Sequence, residues 1–457
     1  MHIPIPLSAL VFAGMTLAAS APDPVVRGLD SLIRAEMAAN HIPGLAACAV
    51  RGSELVWHGE YGYARLEDSV PVVDSTVFDL ASVSKTMTAA ALMQLCERGA
   101  FGLDDDINTR LPFAVHHPDY PSTPITFRML LTHTSGISDY WPTFESLQCQ
   151  GDPEVGLRRF VEGYLVRDGE FYDSANNFCS WPPGGAYEYS NLAIALAGYL
   201  VEAQTDSFHH YTRDSLFLPL GMTRTVWYFR DIDTNSMAMP YDYSGGGYHR
   251  YGHQSLPDVP AGTMKSSAPQ LGRFLSMMLG WGELDGTRVL DSATVALMTT
   301  IQYPPEIGLV WNREYVGQRE VWSHAGMWNG IGTWIGFCRA DSTGVVVLCN
   351  LAAVHRSILG VIAPALFDWA AGIEEDPESR TSGPGPAASI VRSVLFLPDA
   401  AGRKPRAAIR LIDAAGRGVA ALRPGANDVR ALAPGVYFVI QTAKEKTVRV
   451  RKVILTR

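Results

Sequence analysis

The chain has 457 residues, of which 47% are hydrophobic and 18% charged, so it contains enough apolar material for a large core. This composition excludes a disordered or fibrous chain, and the formal net charge of -9 argues against nucleic acid as a partner. The charge is unevenly distributed. Residues 390–457 carry 14 Lys and Arg against 4 Asp and Glu, whereas the rest of the chain carries 23 against 42. This asymmetry predicts two modules with different surfaces.

The first 21 residues have the pattern of a secretory signal peptide. Residues 3–18 form an apolar run, and the Ala-Ser-Ala sequence at 19–21 matches a small-residue cleavage site. The segment before the apolar run lacks Lys and Arg, so a buried N-terminal strand or helix is the alternative. No later segment has the roughly 20 consecutive apolar residues of a membrane span. We therefore expect an exported protein, secreted or at the cell surface. Export permits disulfides, and Cys149 and Cys179 are the expected pair.

Hydrophobic periodicity predicts an α+β module over residues 22–372. The expected helices are 24–37, 84–98, 191–203, 270–279 and 357–371, and the expected strands are 44–50, 55–59, 332–338 and 345–349. Because these strands come from both ends of the module, we predict an antiparallel sheet packed against a helical middle.

A linker and a second module follow. Residues 373–389 are rich in Pro, Gly and acidic residues, which is typical of a linker. Beyond them, short alternating runs broken by Gly and Pro predict a small all-β, Ig-like sandwich over residues 390–457.

One Ser-x-x-Lys sequence occurs in the chain, Ser82-Val-Ser-Lys85, and there is no GxSxG nucleophile elbow. At helical positions i and i+3 the two side chains lie on one face. An apolar helix would desolvate Lys85 and favour its neutral form, which can take the proton of Ser82. The alternative is that Ser82 only caps the helix and Lys85 lies at the surface. Because Lys85 and Lys265 are the only lysines before residue 390, we favour the catalytic interpretation.

The only Tyr-x-Asn sequence of the chain, Tyr189-Ser-Asn191, follows a Pro/Gly turn and opens a helix. A Tyr189 hydroxyl beside Lys85 could relay the proton of the nucleophile. The Asn191 amide can hydrogen-bond both Lys85 and a substrate carbonyl. The pair is therefore a candidate second part of the site.

The sequence His324-Ala-Gly326 is the only His-x-Gly or Lys-x-Gly in the chain, and it begins a run of strands. A strand there could supply the backbone N–H of Met327, which with the N–H of Ser82 would form an oxyanion hole. No Cys/His spacing indicates a metal site, and these groups require no cofactor.

The segment Phe78-Asp-Leu-Ala-Ser-Val-Ser-Lys-Thr-Met-Thr88 resembles the nucleophile segment of the superfamily of class C β-lactamases, serine D-alanyl-D-alanine carboxypeptidases and related esterases. The order of the three motifs and the stretches 125–136, 183–191, 218–222 and 260–264 are similar as well. The resemblance covers about residues 24–372 and implies a β-lactamase/transpeptidase-like fold. It also implies an acyl-enzyme on Ser82, with Lys85 and Tyr189 sharing proton transfer. His133, in the family-like Thr132-His-Thr-Ser-Gly136, is expected to be structural.

The third motif departs from the Lys-Thr-Gly usual in β-lactamases. Ala325 has no hydroxyl, and His324 is mostly neutral at pH 7 unless it is perturbed. A penicillin carboxylate needs a fixed cation, so we expect hydrolysis of esters, amides or D-amino-acid peptides. A true β-lactamase and a catalytically silent protein that binds cell-wall peptide are the alternatives.

The C-terminal module resembles the sorting domains of type IX secretion substrates. The resemblance rests on residues 411–417, 432–438 and 451–457. It implies contact with the secretion machinery through residues 390–457. A plain Ig-like adhesion module is the alternative.

Overall fold

A computed structural model describes residues 24–352 and 354–372. Nearer the C-terminus it describes residues 389–391, 394–397, 408–413, 417–423, 425–433, 435–443 and 446–455. The chain divides into two compact units, residues 1–374 and 375–457. The predicted signal segment 1–21 lies outside the described residues, as does the predicted linker up to residue 388.

A seven-stranded antiparallel sheet forms the centre of the first unit. Its strands are β1 (Gly44–Arg51), β2 (Glu54–Arg65), β3 (Val70–Pro71), β4 (Asn312–Val316), β5 (Arg319–Trp328), β6 (Ile331–Cys338) and β7 (Thr343–Cys349). They lie in the order β4-β5-β6-β7-β1-β2-β3. The pairing of β7 with β1 joins the N-terminal hairpin to the C-terminal strands. The predicted antiparallel sheet with strands from both ends of the module is therefore confirmed.

Some helices of the first unit pack on the two faces of this sheet, and the others pack on one another. The helices are α1 (Pro24–Ala39), α2 (Ser84–Glu97), α3 (Phe127–Leu131), α4 (Trp141–Ser146), α5 (Leu157–Leu165), α6 (Asn191–Thr205), α7 (Phe208–Thr212), α8 (Val259–Gly262), α9 (Ala268–Leu279), α10 (Ser292–Met298), α11 (His355–Ser357) and α12 (Ala363–Ala370). Among them, α9 packs on one face of the sheet and α12 on the other. The predicted closing helix is interrupted, because Ile358–Ile362 forms a π-helical turn between α11 and α12. In the part of the chain that the structure describes, no helix has the length and apolarity of a membrane span.

The strand β1 shows why a central strand of this sheet is apolar at nearly every position of its sequence. Its residues alternate between two buried clusters, one shared with α2, α6 and α9 and the other with α1 and α12. Ala46, Cys48 and Val50 face the first cluster, and Leu45, Ala47 and Ala49 face the second. Since successive side chains of a strand point to opposite faces, a strand covered on both sides must be apolar throughout.

The described part of the second unit is all-β, as the sequence predicts. A five-stranded sheet has the order Ser389–Val391, Lys446–Leu455, Gly435–Ala443, Ala408–Asp413 and Gly418–Leu422, and Val394–Leu397 pairs with Gly425–Asp428. Leu411, Val429, Tyr437 and Val439 form a small buried cluster of its own.

Cys149 and Cys179 do not form the expected disulfide, and both are free thiols. The short strand Cys149–Gln150 pairs with Gln254–Ser255. Cys179 instead donates its N–H to the carbonyl of Gly136 at 2.8 Å. The prediction was wrong because the two ends of the intervening polar stretch are anchored to different parts of the unit, which spacing along the sequence does not indicate.

Candidate active site

Ser82 lies in a tight turn, Ala81–Val83, immediately before α2. Ala81 has a φ of +46°, a conformation that residues other than glycine rarely adopt. Hydrogen bonds hold this strained turn: Ser84 Oγ donates to the Ala81 carbonyl at 2.6 Å and accepts the Met264 N–H at 3.0 Å. Ser82 is half-buried and provides no side-chain cap for α2, so the capping alternative is excluded. This strained turn therefore places Ser82 directly before the start of α2.

Lys85 is fully buried on the first turn of α2. Its Nζ lies 2.9 Å from Ser82 Oγ, 2.7 Å from Asn191 Oδ1 and 2.7 Å from the carbonyl oxygen of Ala261. These three acceptors satisfy the three donors of an ammonium group. The prediction that Lys85 lies beside Ser82 is therefore confirmed by the structure, and a surface position is excluded.

Tyr189 lies over Lys85, with its ring centroid 5.0 Å from Nζ. The side chain is 37% exposed and packs at 4.5 Å, between ring centroids, on His133. Among the hydrogen bonds of the described residues, none joins the Tyr189 hydroxyl to Ser82 or Lys85. The structure therefore brings Tyr189 into the site but shows a ring contact where the sequence suggested a hydroxyl contact.

His133 forms the buried floor beneath Tyr189. Its Nδ1 accepts the backbone N–H of Ser190 at 3.2 Å. Burial lowers the pKa of His133 well below its usual value, and the nearby charge of Lys85 lowers it further. His133 is consequently a neutral packing group at physiological pH.

Asn191 begins α6 and is held by Asp139, a residue that the sequence interpretation missed. Asp139 Oδ2 accepts the backbone N–H of Asn191 at 2.7 Å and its side-chain Nδ2 at 2.8 Å. Asp139 Oδ1 accepts Ser190 Oγ and the N–H of Leu192, both at 3.0 Å. Burial raises the pKa of Asp139, and the hydrogen bonds that it accepts oppose this shift. A carboxylate is suited to a helix N-terminus, but nothing local in the sequence links residue 139 to residue 191.

A second missed carboxyl, Asp258, precedes α8 on the other side of Lys85. Asp258 is buried, and its Oδ1 has no hydrogen-bond partner among the described residues. Burial raises the pKa of Asp258 to about 7; the charge of Lys85 opposes this shift and that of Asp139 adds to it. One buried carboxyl group, that of Asp258, and one partly buried carboxyl group, that of Asp139, are thus coupled electrostatically to Lys85.

Gly326 allows β5 to approach the nucleophile turn. A Cβ at this position would meet the carbonyl of Leu80 and the hydroxyl of Thr333, and would lie 3.2 Å from the Ser82 nitrogen. Thr333 Oγ1, on β6, donates to the Leu80 carbonyl at 2.7 Å. Only glycine fits so close a backbone contact.

Beyond this contact, one edge of β5 is left without a neighbouring strand. β4 pairs with β5 through residues 319–323, and within the described part of the chain residues 324–328 have no strand partner on that side. Met327, 61% exposed, lies on this free segment next to Gly326. The arrangement is compatible with the predicted oxyanion hole of Ser82 and Met327 N–H groups.

His324 is buried on β5 and uncharged. Its Nδ1 lies 2.7 Å from the Ala325 carbonyl, which makes Nδ1 the protonated nitrogen. Burial lowers the pKa of His324 to about 3, and the charge of Lys85 acts in the same direction. The third motif therefore places a neutral imidazole in the site at pH 7.

The described residues thus bring Ser82, Lys85, Asn191, Tyr189, His324 and Gly326 together around one point, with Met327 on the exposed rim. The part of the chain that the structure describes contains no group of three or more His, Cys, Asp or Glu that could hold a metal ion.

The Beta-lactamase family model matches residues 29–358. The match covers more than half of the chain, which therefore belongs to the beta-lactamase family. The predicted β-lactamase/transpeptidase-like fold is confirmed.

The chain is similar to two curated proteins and, in fold, to a solved structure. Protein flp of Staphylococcus aureus (strain MRSA252) is 24% identical over 325 residues, covering 71% of this chain and 62% of the relative. A D-aminopeptidase of Gluconobacter oxydans (strain 621H) is 27% identical over 350 residues, covering 75% of this chain and 61% of the relative. The structure of D-amino acid amidase from Ochrobactrum anthropi SV3, complexed with L-phenylalanine amide, aligns with a TM-score of 0.60 at 20% identity, covering 76% of this chain and 98% of the amidase. The chain thus spans less than two thirds of the length of the two curated relatives.

Proposed function

We propose that the protein is a serine hydrolase that transfers the acyl group of an ester, amide or D-amino-acid peptide to Ser82 and then to water. The observation that carries this proposal is the 2.9 Å contact between Lys85 Nζ and Ser82 Oγ inside a buried site. A nucleophile within hydrogen-bond reach of a desolvated base is the arrangement that acyl transfer requires. The names of the D-aminopeptidase and D-amino acid amidase relatives support this reaction class.

The mechanism follows from the geometry. The contacts of Lys85 are those of an ammonium, so Lys85 must first release a proton to act as a base; Ser82 Oγ then attacks the substrate carbonyl carbon while its proton passes to Lys85 Nζ. The carbonyl oxygen becomes an oxyanion and accepts the N–H groups of Ser82 and Met327. Collapse of this intermediate breaks the bond to the leaving group, which takes up the proton that Lys85 received; Tyr189, beside Lys85 at the open side of the site, can relay this proton by taking one from Lys85 as it gives one to the leaving group, so that both residues return to their starting state. Water then attacks the acyl-enzyme by the same route, which releases the acid and restores Ser82.

The neutral third motif favours substrates without a carboxylate at that position. His324 carries no charge at pH 7, and Ala325 offers no hydroxyl. A substrate carboxylate there would lose its water shell without gaining a charge-assisted hydrogen bond from this motif. We therefore propose esterase, amidase or peptidase activity in preference to β-lactam hydrolysis.

Covalent labelling tests the proposal. A fluorophosphonate probe should modify the wild-type protein, and Ser82→Ala should abolish both the label and the hydrolysis of a p-nitrophenyl ester. Ser146→Ala is the matched control, because Ser146 donates only to the Thr143 carbonyl at an exposed position. An unlabelled wild-type protein, or a Ser82→Ala variant with full turnover, would refute the proposal and favour the silent binding protein.

We also propose that the protein is exported and that residues 390–457 contact the secretion machinery. The support is the apolar run and small-residue sequence at the N-terminus, together with the resemblance of the C-terminal segment to sorting domains. Cell fractionation of the full chain and of a chain ending at residue 389 tests this. We expect the full chain outside the cytoplasm with an N-terminus after Ala21, and retention of the shortened chain. A cytoplasmic full chain that still begins at Met1 would refute export.

A further inference from the structure

The side-chain amide of Asn191 is held at both ends by groups of the protein itself. Its Nδ2 donates to Asp139 Oδ2 at 2.8 Å, and its Oδ1 accepts from Lys85 Nζ at 2.7 Å. Asp139 is fixed in turn by the N–H groups of Asn191 and Leu192 and by the Ser190 hydroxyl. One side-chain N–H of Asn191 remains for a substrate.

The oxygens of Asp139 determine which way this amide faces. Oδ2 accepts two N–H groups of Asn191 and Oδ1 accepts the N–H of Leu192, so both oxygens act as acceptors and select the NH₂ end of the Asn191 amide. The carbonyl end must then point to Lys85, whose three donors need three acceptors. If the amide turned over, its NH₂ would face the Lys85 ammonium, and two donors would oppose each other in a buried site.

We propose that Asp139 is a positioning residue for the nucleophile's base: acting through the Asn191 amide, it holds Lys85 in contact with Ser82. This inference rests on the proposed acyl-transfer function and assigns a role in it to a residue outside the three sequence motifs. In this arrangement the main role of the Asn191 side chain is to orient Lys85.

The variant Asp139→Asn tests the orientation directly. It replaces one of the two acceptor oxygens with an NH₂ group. In the place of Oδ2 this group would face the N–H groups of Asn191, so the Asn191 amide should turn its NH₂ toward Lys85. In the place of Oδ1 it would face the N–H of Leu192 and loosen the start of α6, which carries Asn191. We expect the rate constant of fluorophosphonate labelling and the kcat of ester hydrolysis to fall about 10- to 100-fold. The KM should change little, because Asp139 lies behind the base and not at the substrate.

The exchange variant Asp139→Asn/Asn191→Asp provides the rescue. Its carboxylate at position 191 can accept from both Lys85 and the new amide at position 139, which restores an acceptor for Lys85. Asn191→Asp alone sets two carboxyl groups against each other and should be slow. We expect the double variant to label at least about tenfold faster than either single variant, an effect that loss of a helix cap cannot produce.

Ser207→Ala is the matched control for capping. Ser207 accepts the His210 N–H at the start of α7, away from Lys85. This variant should lower the thermal unfolding midpoint by a few degrees and leave the labelling rate unchanged. If Asp139→Asn does not fold, the comparison of labelling rates between the double variant and Asn191→Asp still tests the role of Asp139.

The outcomes separate the two proposals. A wild-type protein that is not labelled overturns the proposed function and this inference with it. A labelled wild-type protein with an equally fast Asp139→Asn variant overturns only the role of Asp139. A double variant no faster than Asn191→Asp also overturns that role, because Asp139 would then act only as a helix cap.

Discussion

At the scale of single residues, the chemistry depends on an amine that can lose its proton in place. Lys85 is buried, and its three acceptors come from Ser82, Asn191 and Ala261. A guanidinium group at this position would stay protonated at any workable pH and would also be too large for the contacts that an ammonium makes.

We therefore predict that Lys85→Arg fails almost as completely as Lys85→Ala. Loss of a general base costs about 10²- to 10⁴-fold in rate. The measurement is kcat/KM for a p-nitrophenyl ester in both variants, with thermal unfolding to confirm that each protein is folded. Near-normal turnover of Lys85→Arg would show that the lysine supplies only charge or packing.

The neutral state of His324 leads to a second prediction, on substrate choice. Charge-assisted hydrogen bonds contribute about 1.5–3 kcal/mol each, and the neutral imidazole and missing hydroxyl of the third motif forfeit most of this for a carboxylate. We expect kcat/KM for nitrocefin to lie about one to three orders of magnitude below that for a p-nitrophenyl ester. His324→Gln, also neutral, should keep this order. A larger kcat/KM for nitrocefin would make the protein a β-lactamase.

The individual residues also show which parts of the site the sequence could predict and which it could not. Ser82 and Lys85 could be found because one helical turn joins them, and Asn191 because a motif marks it. Asp139 and Asp258 could not be found, since each reaches the site through tertiary folding from a segment with no local marker. Carboxyl groups are common in loops, and only the folded structure distinguishes these two: Asp139 holds the Asn191 amide, and Asp258 is buried beside Lys85.

At the scale of elements, the contact between β5 and the nucleophile turn sets the site. We predict that Gly326→Ala pushes the strand away from Ser82, because the added Cβ would meet the Leu80 carbonyl and the Thr333 hydroxyl. Since an oxyanion donor contributes about 10²- to 10³-fold in rate, kcat should fall by at least about tenfold. Gly360→Ala is the control, because nothing lies within 4 Å of a Cβ there. Unchanged kcat in a folded Gly326→Ala protein would contradict the close approach.

A second buried lysine lies beside the short strand that leads into the nucleophile turn. Lys265 lies in the short strand Lys265–Ser266, directly opposite Asp79 in the partner strand. Its Nζ donates to the carbonyls of Trp227 at 2.9 Å and Thr263 at 2.6 Å, and lies 4.0 Å from Asp79 Oδ1. Burial lowers the pKa of Lys265 to about 8, and the charge of Asp79 opposes this shift.

This shift gives a prediction about stability and pH. Between the folded pKa of about 8 and the ordinary value of 10.5, the unfolded chain binds a proton that the folded protein has lost. The contribution of Lys265 to the free energy of unfolding therefore rises with pH, by about 1.5 kcal/mol from pH 8 to 9.5. Urea unfolding of the wild type and of Lys265→Met at both pH values isolates this term. An equal pH dependence in the two proteins would contradict the shifted pKa.

The elements themselves were partly predictable. The helices α2, α6 and α9 begin and end within two residues of the predicted bounds, because each is a long and largely apolar run. The sequence analysis did not predict the edge strand β4. Its residues, Asn312 to Val316, are mostly polar and half-buried, so the strand has no apolar alternation to reveal it.

At the scale of the whole molecule, each unit has its own buried cluster. The two large clusters of the first unit draw on described residues between Leu29 and Ala370, and the small cluster of the second unit on residues between Leu411 and Val439. The charge asymmetry seen in the sequence falls close to the division at residue 374. A unit with a separate core is expected to fold independently.

We therefore predict that a chain ending at residue 374 keeps the hydrolase activity. Every group placed in the site, from Ser82 to Met327, belongs to the first unit, and so do both clusters that support it. The expected kcat/KM for a p-nitrophenyl ester is within about twofold of the full chain, with the same midpoint for the main thermal transition. Ser82→Ala in the shortened chain is the control for residual hydrolysis by contaminants. A large loss of activity, or a main transition several degrees lower, would show that residues 375–457 support the catalytic unit.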